Sequence, residues 1–207
     1  MNDARKSLIA LILCLAVVHI GWMKFYYPSV IYWIDYAERV VVIVIFLMVV
    51  GPIRLQRTAE FRYIAAAIAA ALAVYLSDIL ITAGLIRVGA PLDGDKWPPL
   101  FDWLKLFDVT IGLALTAVSE EIIYRRLFAA VIERAAILYP VSAVVFASLH
   151  ANQGIASTAN AFVAGLIFMA LYRWSGRLFL PILAHYLANL IFFGLPGLKP
   201  KLLALLG

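Results

Sequence analysis

Charged residues and cysteines are scarce in this sequence of 207 residues. Asp, Glu, Lys and Arg make up 14% of the chain and hydrophobic residues 65%, and the mean hydropathy is +0.98. Soluble domains contain about 25% charged residues and about 50% apolar residues, so this composition excludes a soluble globular protein. The one cysteine, Cys14, lies in an apolar run and has no partner in the chain, which excludes an intrachain disulfide. We therefore expect an all-α polytopic membrane protein that forms a single membrane domain over residues 1–207.

The charge balance is basic, with 17 Lys and Arg residues against 12 Asp and Glu. The basic residues lie mostly between apolar runs and form no basic face, so we expect contact with a lipid bilayer and none with nucleic acid. A cytoplasmic N-terminus would place ten of the 17 basic residues on or near the cytoplasmic side, which predicts that orientation. These ten are Arg5, Lys6, Arg54, Arg57, Arg62, Arg125, Arg126, Arg134, Arg173 and Arg177.

Seven apolar runs predict about seven transmembrane helices. The second run follows the polar residues Asp35, Glu38 and Arg39, which give its helix polar first turns. The longest connection, residues 89–105, contains prolines and tryptophans, and we expect it to lie along the membrane interface. The runs cover approximately residues 7–23, 40–53, 63–86, 106–132, 136–149, 155–172 and 178–193.

Ionisable residues inside these runs are the main functional signal. The fourth run carries the adjacent carboxylates Glu120 and Glu121, followed by Arg125. Ionisable side chains cost about 2.5 to 3.5 kcal/mol each in a membrane span, so they normally face a cavity or a partner and mark function. Asp78 interrupts the third run, and we interpret it as an intramembrane hydrogen-bonding residue, with a place in a polar cavity as the alternative.

Polar residues on three helices are predicted to lie at one depth. The fourth and fifth runs form an antiparallel hairpin that turns near Ala135, and Glu120 and His150 each lie 15 residues from that turn. At a rise of about 1.5 Å per residue, both are roughly 20 Å along their helices. His185 and Asn189 lie about 12 to 18 Å into the last run by the same rise. We therefore expect an intramembrane polar cavity between these helices.

The spacing within each helix supports the same cavity, because residues four apart share a helix face. A carboxylate, two imidazoles and an amide around one cavity suit hydrolysis, since together they hold a water, take its proton and stabilise an oxyanion. The three pairs with this spacing are Glu121 and Arg125, Phe146 and His150, and His185 and Asn189.

These residues resemble three motifs of a known family. Glu120-Glu121-x-x-x-Arg125, Phe146-x-x-x-His150 and His185-x-x-x-Asn189 are similar, in order, to those of the CPBP family (CAAX-processing and bacteriocin-processing, also called Abi) of glutamic intramembrane endopeptidases. The similarity spans about residues 106–193, which we take as the catalytic helical core. Each motif alone is a weak signal, whereas three together at matching depth are a strong one.

The resemblance implies an intramembrane endopeptidase that needs no cofactor. Glu120 would activate the attacking water with His150 as its partner, and His185 and Asn189 would hold the water or the oxyanion. Glu121, Arg125 and the motif residue Phe146 would support the site. Eukaryotic relatives cut prenylated CAAX tails, whereas bacterial relatives are linked to peptide maturation, immunity or removal of C-terminal sorting segments. We therefore expect a membrane protein or lipid-linked peptide as substrate, and a bacterial cell membrane as the location.

Four other interpretations use the same residues. Glu121 and Arg125 would form a structural ion pair while the other polar residues bridge helices. A non-catalytic immunity or scaffold protein would keep the cavity and bind peptides. A zinc-dependent membrane protease would use Glu120, His150 and His185 as metal ligands. A transporter would use a carboxylate as a proton relay.

Overall fold

Helices account for every regular element that the described residues contain. The computed structural model describes residues 3–21, 24, 26–52, 60–92, 102–195 and 197–205, and no strand occurs in those ranges. The all-α prediction is therefore confirmed. Arg54 and Arg57 of the predicted cytoplasmic set, and residues 93–101 of the predicted interfacial connection, lie outside the described ranges.

The first half of the chain contributes three long helices. Helix α1 spans Asp3–Gly21 and α3 spans Phe61–Arg87. A short 3₁₀ turn, Pro28–Val30, leads into α2, Ile31–Val49. Helix α2 therefore begins well before the apolar run at residue 40, because proline fits the first turn of a helix and so starts this one early. The acidic and basic residues of its first half are part of a regular helix.

Residues 102–131 form one composite helix that contains two π-helical segments. Its parts are α4 Asp102–Phe107, a π segment Asp108–Gly112, α5 Leu113–Glu121, a second π segment Ile122–Leu127, and α6 Phe128–Val131. Each π segment adds a residue to the turn and so changes the direction in which the following side chains point. The second one begins directly after the acidic pair.

The remaining helices follow with short connections. Helix α7 is short, and it ends just before His150 and a single 3₁₀ turn. Gly154 and Gly176 flank the next helix with φ of 93° and 66°, values that glycine adopts without steric cost. The elements are α7 Ala135–Ser148, the 3₁₀ turn Ala151–Gln153, α8 Ile155–Ser175, α9 Phe179–Gly194 and α10 Leu198–Ala204.

Small residues bring the helices close together. Helix α3 packs against α8 and α9, α7 packs against α8, and α5 packs against α2 and α9. Ala67, Ala70 and Ala71 of α3 are buried in the core, as expected where small residues let membrane helices approach closely. Many large apolar side chains elsewhere are exposed, including Ile12, Leu80 and Ile111, which is what a surface facing lipid requires.

The predicted count of seven spans is not confirmed. Within the described ranges, three helices are long and apolar enough to cross a membrane, namely Asp3–Gly21, Phe61–Arg87 and Ile155–Ser175, and α9 with α10 would be a fourth if that pair is one bent span. The other predicted spans do not qualify, for three physical reasons. Helix α2 carries three charged residues, the composite helix is divided by π segments, and α7 has only 14 residues.

The close contact between α7 and α8 predicts that replacing Gly165 by a larger residue destabilises the protein. A Cβ atom on Gly165 would lie 2.9 Å from Ala143 Cα, whereas one on Gly84 would meet nothing within 4 Å. Overpacking costs about 1 to 3 kcal/mol, so Gly165→Ala should lower the thermal unfolding midpoint of the purified protein in detergent. Gly84→Ala is the matched control and should leave that midpoint unchanged or raise it. Equal midpoints for the two variants would contradict this close contact.

Candidate active site

Glu121 and Arg125 form an ion pair that is completely buried. Arg125 Nε lies 2.8 Å from Glu121 Oε2, and both side chains have 0% exposure. The Nε hydrogen is not aligned with that oxygen, so this is a charge contact, while Nη2 donates a hydrogen bond to Oε1 at 3.3 Å. The guanidinium also lies 5.2 Å from the ring centre of Phe146 and 5.7 Å from that of Phe168. Without such partners, either buried charge would be strongly destabilising.

His185 connects this pair to the second carboxylate. Its Nδ1 lies 2.9 Å from Glu121 Oε1, and because a carboxylate only accepts hydrogen bonds, we assign the ring hydrogen to Nδ1. The ring stacks on Phe168 with centres 5.2 Å apart and meets Phe146 edge-on. These contacts fix the imidazole plane. The other nitrogen, Nε2, then has a free lone pair and lies 3.7 Å from Glu120 Oε2.

Glu120 uses one carboxylate oxygen and leaves the other open. Oε1 accepts a hydrogen bond from Arg39 Nη1 at 3.0 Å. Oε2 is buried and has no hydrogen-bond partner among the described residues. The 3.7 Å between Oε2 and His185 Nε2 is too long for a direct hydrogen bond and fits a bridging water. Glu120 Oε2 and His185 Nε2, both hydrogen-bond acceptors, therefore face each other across a gap that suits one water.

His150 and Asn189 complete the set of predicted residues. His150 follows the end of α7, and its Nδ1 lies 3.0 Å from the carbonyl oxygen of Phe146. That carbonyl accepts, so the hydrogen is on Nδ1 and Nε2 is left as an acceptor. The His150 ring meets the Phe146 ring edge-on at 4.8 Å. Asn189 lies one turn of α9 beyond His185.

One cavity joins these residues. It has a volume of about 590 Å³, within the range of small-molecule sites in proteins. The structure places all four predicted catalytic residues on its wall, and the supporting residue Phe146 lies there too. Glu121 and Arg125 contact it only through His185 and the aromatic rings. The four are Glu120, His150, His185 and Asn189.

Part of the cavity wall comes from helices outside the motifs, namely α2, α3 and α10. Arg39 of α2 binds Glu120, and Asp78 of α3 pairs with Lys199 of α10 at 2.7 Å. Asp78 therefore has a place in the polar cavity, the alternative considered above. Arg39 is missing from the predicted site. In the sequence, Arg39 stands out only as one of the polar residues before the second apolar run. Any helix that begins at a membrane surface has such polar residues in its first turns, so they do not identify a site residue.

A zinc site would need three protein ligands whose donor atoms converge on one point. Within the described ranges, no three His, Cys, Asp or Glu side chains are arranged to hold a metal ion. Arg39 occupies Glu120 Oε1, and Glu121 occupies His185 Nδ1. These contacts engage part of the donor set that the zinc interpretation would use.

The fold and the site together define an all-α membrane protein with a cavity whose wall carries Glu120, His150, His185 and Asn189. Residues 102–191 match the family model described as Type II CAAX prenyl endopeptidase Rce1-like. This segment includes all three motifs and covers somewhat less than half of the chain, so the predicted resemblance to the CPBP family is confirmed there. No curated protein and no solved structure matches the chain. The apolar helices and this membrane protease family indicate an integral membrane protein.

The buried ion pair predicts a large stability effect. Arg125→Met leaves the Glu121 carboxylate buried without its cation, and breaking such a pair costs about 3 to 5 kcal/mol. The thermal unfolding midpoint in detergent should fall accordingly. Arg62→Met removes an arginine whose partner is the exposed Glu60, and this control should cost about 1 kcal/mol or less. The double change Glu121→Leu with Arg125→Met should recover part of the loss, and an Arg125→Met midpoint equal to the control would contradict the pairing.

Proposed function

We propose that the protein is an intramembrane endopeptidase that hydrolyses a peptide bond near or within the bilayer. The observation that supports this best is the buried, unpartnered Glu120 Oε2, which faces His185 Nε2 at 3.7 Å on a cavity of about 590 Å³. The similarity of residues 102–191 to a prenyl endopeptidase family supports a peptidase of the CAAX type in general.

The reaction begins with a water between the two acceptors. Its hydrogens point to Glu120 Oε2 and His185 Nε2, so a lone pair of its oxygen faces the cavity. Glu120 takes one proton while the oxygen bonds to the carbonyl carbon of the substrate. The Asn189 amide donates to the oxyanion that forms. The proton then passes to the leaving nitrogen, with His150 as a partner in the transfer, and the carbon–nitrogen bond breaks to give a carboxylic acid and an amine.

The proposed substrate is a membrane protein or a lipid-linked peptide. A cavity inside a helical bundle, lined by Phe168, Phe192 and Phe193 as well as by the polar groups, suits an extended segment with apolar side chains. The matching family is described as a CAAX prenyl endopeptidase, and peptide maturation or removal of a sorting segment uses the same hydrolysis. A bacterial cell membrane and a cytoplasmic N-terminus are part of this proposal.

Glu120→Gln tests the proposed reaction. An amide at this position accepts hydrogen bonds but takes no proton, so cleavage should fall by about 10² to 10⁴-fold, the usual contribution of a general base. N-terminal and C-terminal peptide mapping of the membrane proteome should reveal a substrate that stays uncut only in this variant. Glu133→Gln, which alters an exposed carboxylate, is the control and should cleave normally. A Glu120→Gln protein with normal cleavage and normal cellular function would instead favour a non-catalytic scaffold.

Metal removal separates this proposal from a zinc protease. With Glu120 held by Arg39 and His185 held by Glu121, we expect cleavage to be unchanged after dialysis against a strong chelator, in protein shown by elemental analysis to be free of zinc. Loss of cleavage on chelation, with recovery on adding zinc alone, would contradict the proposed mechanism and favour zinc-bound water as nucleophile.

A further inference from the structure

We infer that Arg39 is a positioning residue that holds the Glu120 carboxylate with Oε1 occupied and Oε2 directed to the reacting water. This inference rests on the proposed function. Arg39 lies in α2, outside the matched segment 102–191, and 81 positions before Glu120 in the sequence.

Arg39 has little freedom to turn away from Glu120. Its Nε donates to Asp35 Oδ2 at 2.7 Å and its Nη2 to Asp35 Oδ1 at 3.2 Å, so one edge of the guanidinium binds both carboxylate oxygens. Its Nη1 is left to donate to Glu120 Oε1 at 3.0 Å. A guanidinium held by both oxygens of one carboxylate has a fixed plane and direction. Its side chain is only 13% exposed.

Asp35 is itself fixed by a second cation. Lys24 forms an ion pair with Asp35 and a second one with Glu38, the latter at 3.1 Å. The side chains of these three residues are 8 to 11% exposed, where solvent screening is weak. The chain of contacts runs from Lys24 through Asp35 and Arg39 to Glu120. Glu38 is a side branch of this chain, bound to Lys24.

Two other cations near the site have acidic partners of their own. Arg125 is committed to Glu121, between the rings of Phe146 and Phe168. Lys199 pairs with Asp78. The two adjacent carboxylates therefore have separate arginines, and removal of Arg39 takes away the guanidinium that donates to Glu120 Oε1.

The location of Arg39 also favours a role in the reaction. A second cavity of about 70 Å³ lies beside the large one, with room for a few waters. Arg39, Glu120, His150 and Gln153 line both cavities. Arg39 thus forms part of the wall between them, next to the two residues that handle the proton.

The test measures kcat and KM of the full-length protein in proteoliposomes, with a quenched fluorescent peptide that ends in a farnesylated CAAX sequence. Arg39→Gln should lower kcat by about 100-fold, because a misplaced catalytic group costs about that much. KM should change by less than about twofold, since Arg39 acts on the reacting groups and not on substrate binding. Arg39→Lys keeps the charge without the planar fork and should recover kcat to within about tenfold of wild type.

Asp35→Asn separates positioning from a general structural effect. It should also lower kcat at nearly constant KM, and the double variant with Arg39→Gln should be no slower than Arg39→Gln alone, because Asp35 acts through Arg39. Arg62→Gln, a change to an exposed arginine, is the control and should match wild type. Unchanged kcat in Arg39→Gln, or an Asp35 effect that simply adds to it, would overturn the inference.

A second measurement needs no substrate. The thermal unfolding midpoints of Arg39→Gln, Glu120→Gln and the double variant form a cycle, and a direct contact predicts that the two single effects do not add. If wild type cleaves neither this peptide nor any protein found by peptide mapping of the membrane proteome, but the cycle shows coupling, the proposed function fails while the contact stands. Strict additivity would overturn the inference even in a fully active protein.

Discussion

Burying charge in an apolar helix bundle is the constraint on which this structure depends. Glu121 and Arg125 have no exposure, and each would be strongly destabilising alone. Three further contacts stabilise the two buried charges. The His185 imidazole donates to one oxygen of Glu121, and the rings of Phe146 and Phe168 lie against the guanidinium of Arg125. These partners come from α7, α8 and α9. Satisfying one ion pair therefore fixes how three helices meet the composite helix, and it fixes the plane of His185.

The adjacent carboxylates have different surroundings because neighbouring residues on a helix point about 100° apart. Glu121 faces Arg125 and α9, where its oxygens are used in the ion pair and the bond to His185. Glu120 faces α2 and the cavity, where Arg39 binds one oxygen and leaves the other without a partner. One carboxylate thus holds the imidazole in place, while the other keeps a lone pair for a proton. The roles proposed for the two glutamates, support for Glu121 and proton transfer for Glu120, thus follow from the direction in which each side chain points.

The sequence predicted the helical class and which motif residues share a cavity, because both follow from regular helix geometry. Spacing of four residues and equal distance from a turn need only the rise per residue. Arg39 escaped prediction since its contact with Glu120 joins residues 81 apart, and no local pattern encodes such a pair. The predicted number of spans was based on hydropathy. Hydropathy does not reveal the π segments 108–112 and 122–127, nor that α2 begins early enough to include charged residues.

The cavity draws on more of the chain than the motif segment. Residues 102–191 supply the carboxylates, the histidines and the amide, but the arginine on Glu120 comes from α2 and the carboxylate opposite Lys199 comes from α3. A buried carboxylate without a charged donor tends to take up a proton and lose its value as a base. Under the proposed function, helices α2 and α3 therefore contribute to the electrostatics of the reaction, even though their sequence carries no motif. A core defined by the motifs alone would omit Arg39, the cation that donates a hydrogen bond to Glu120.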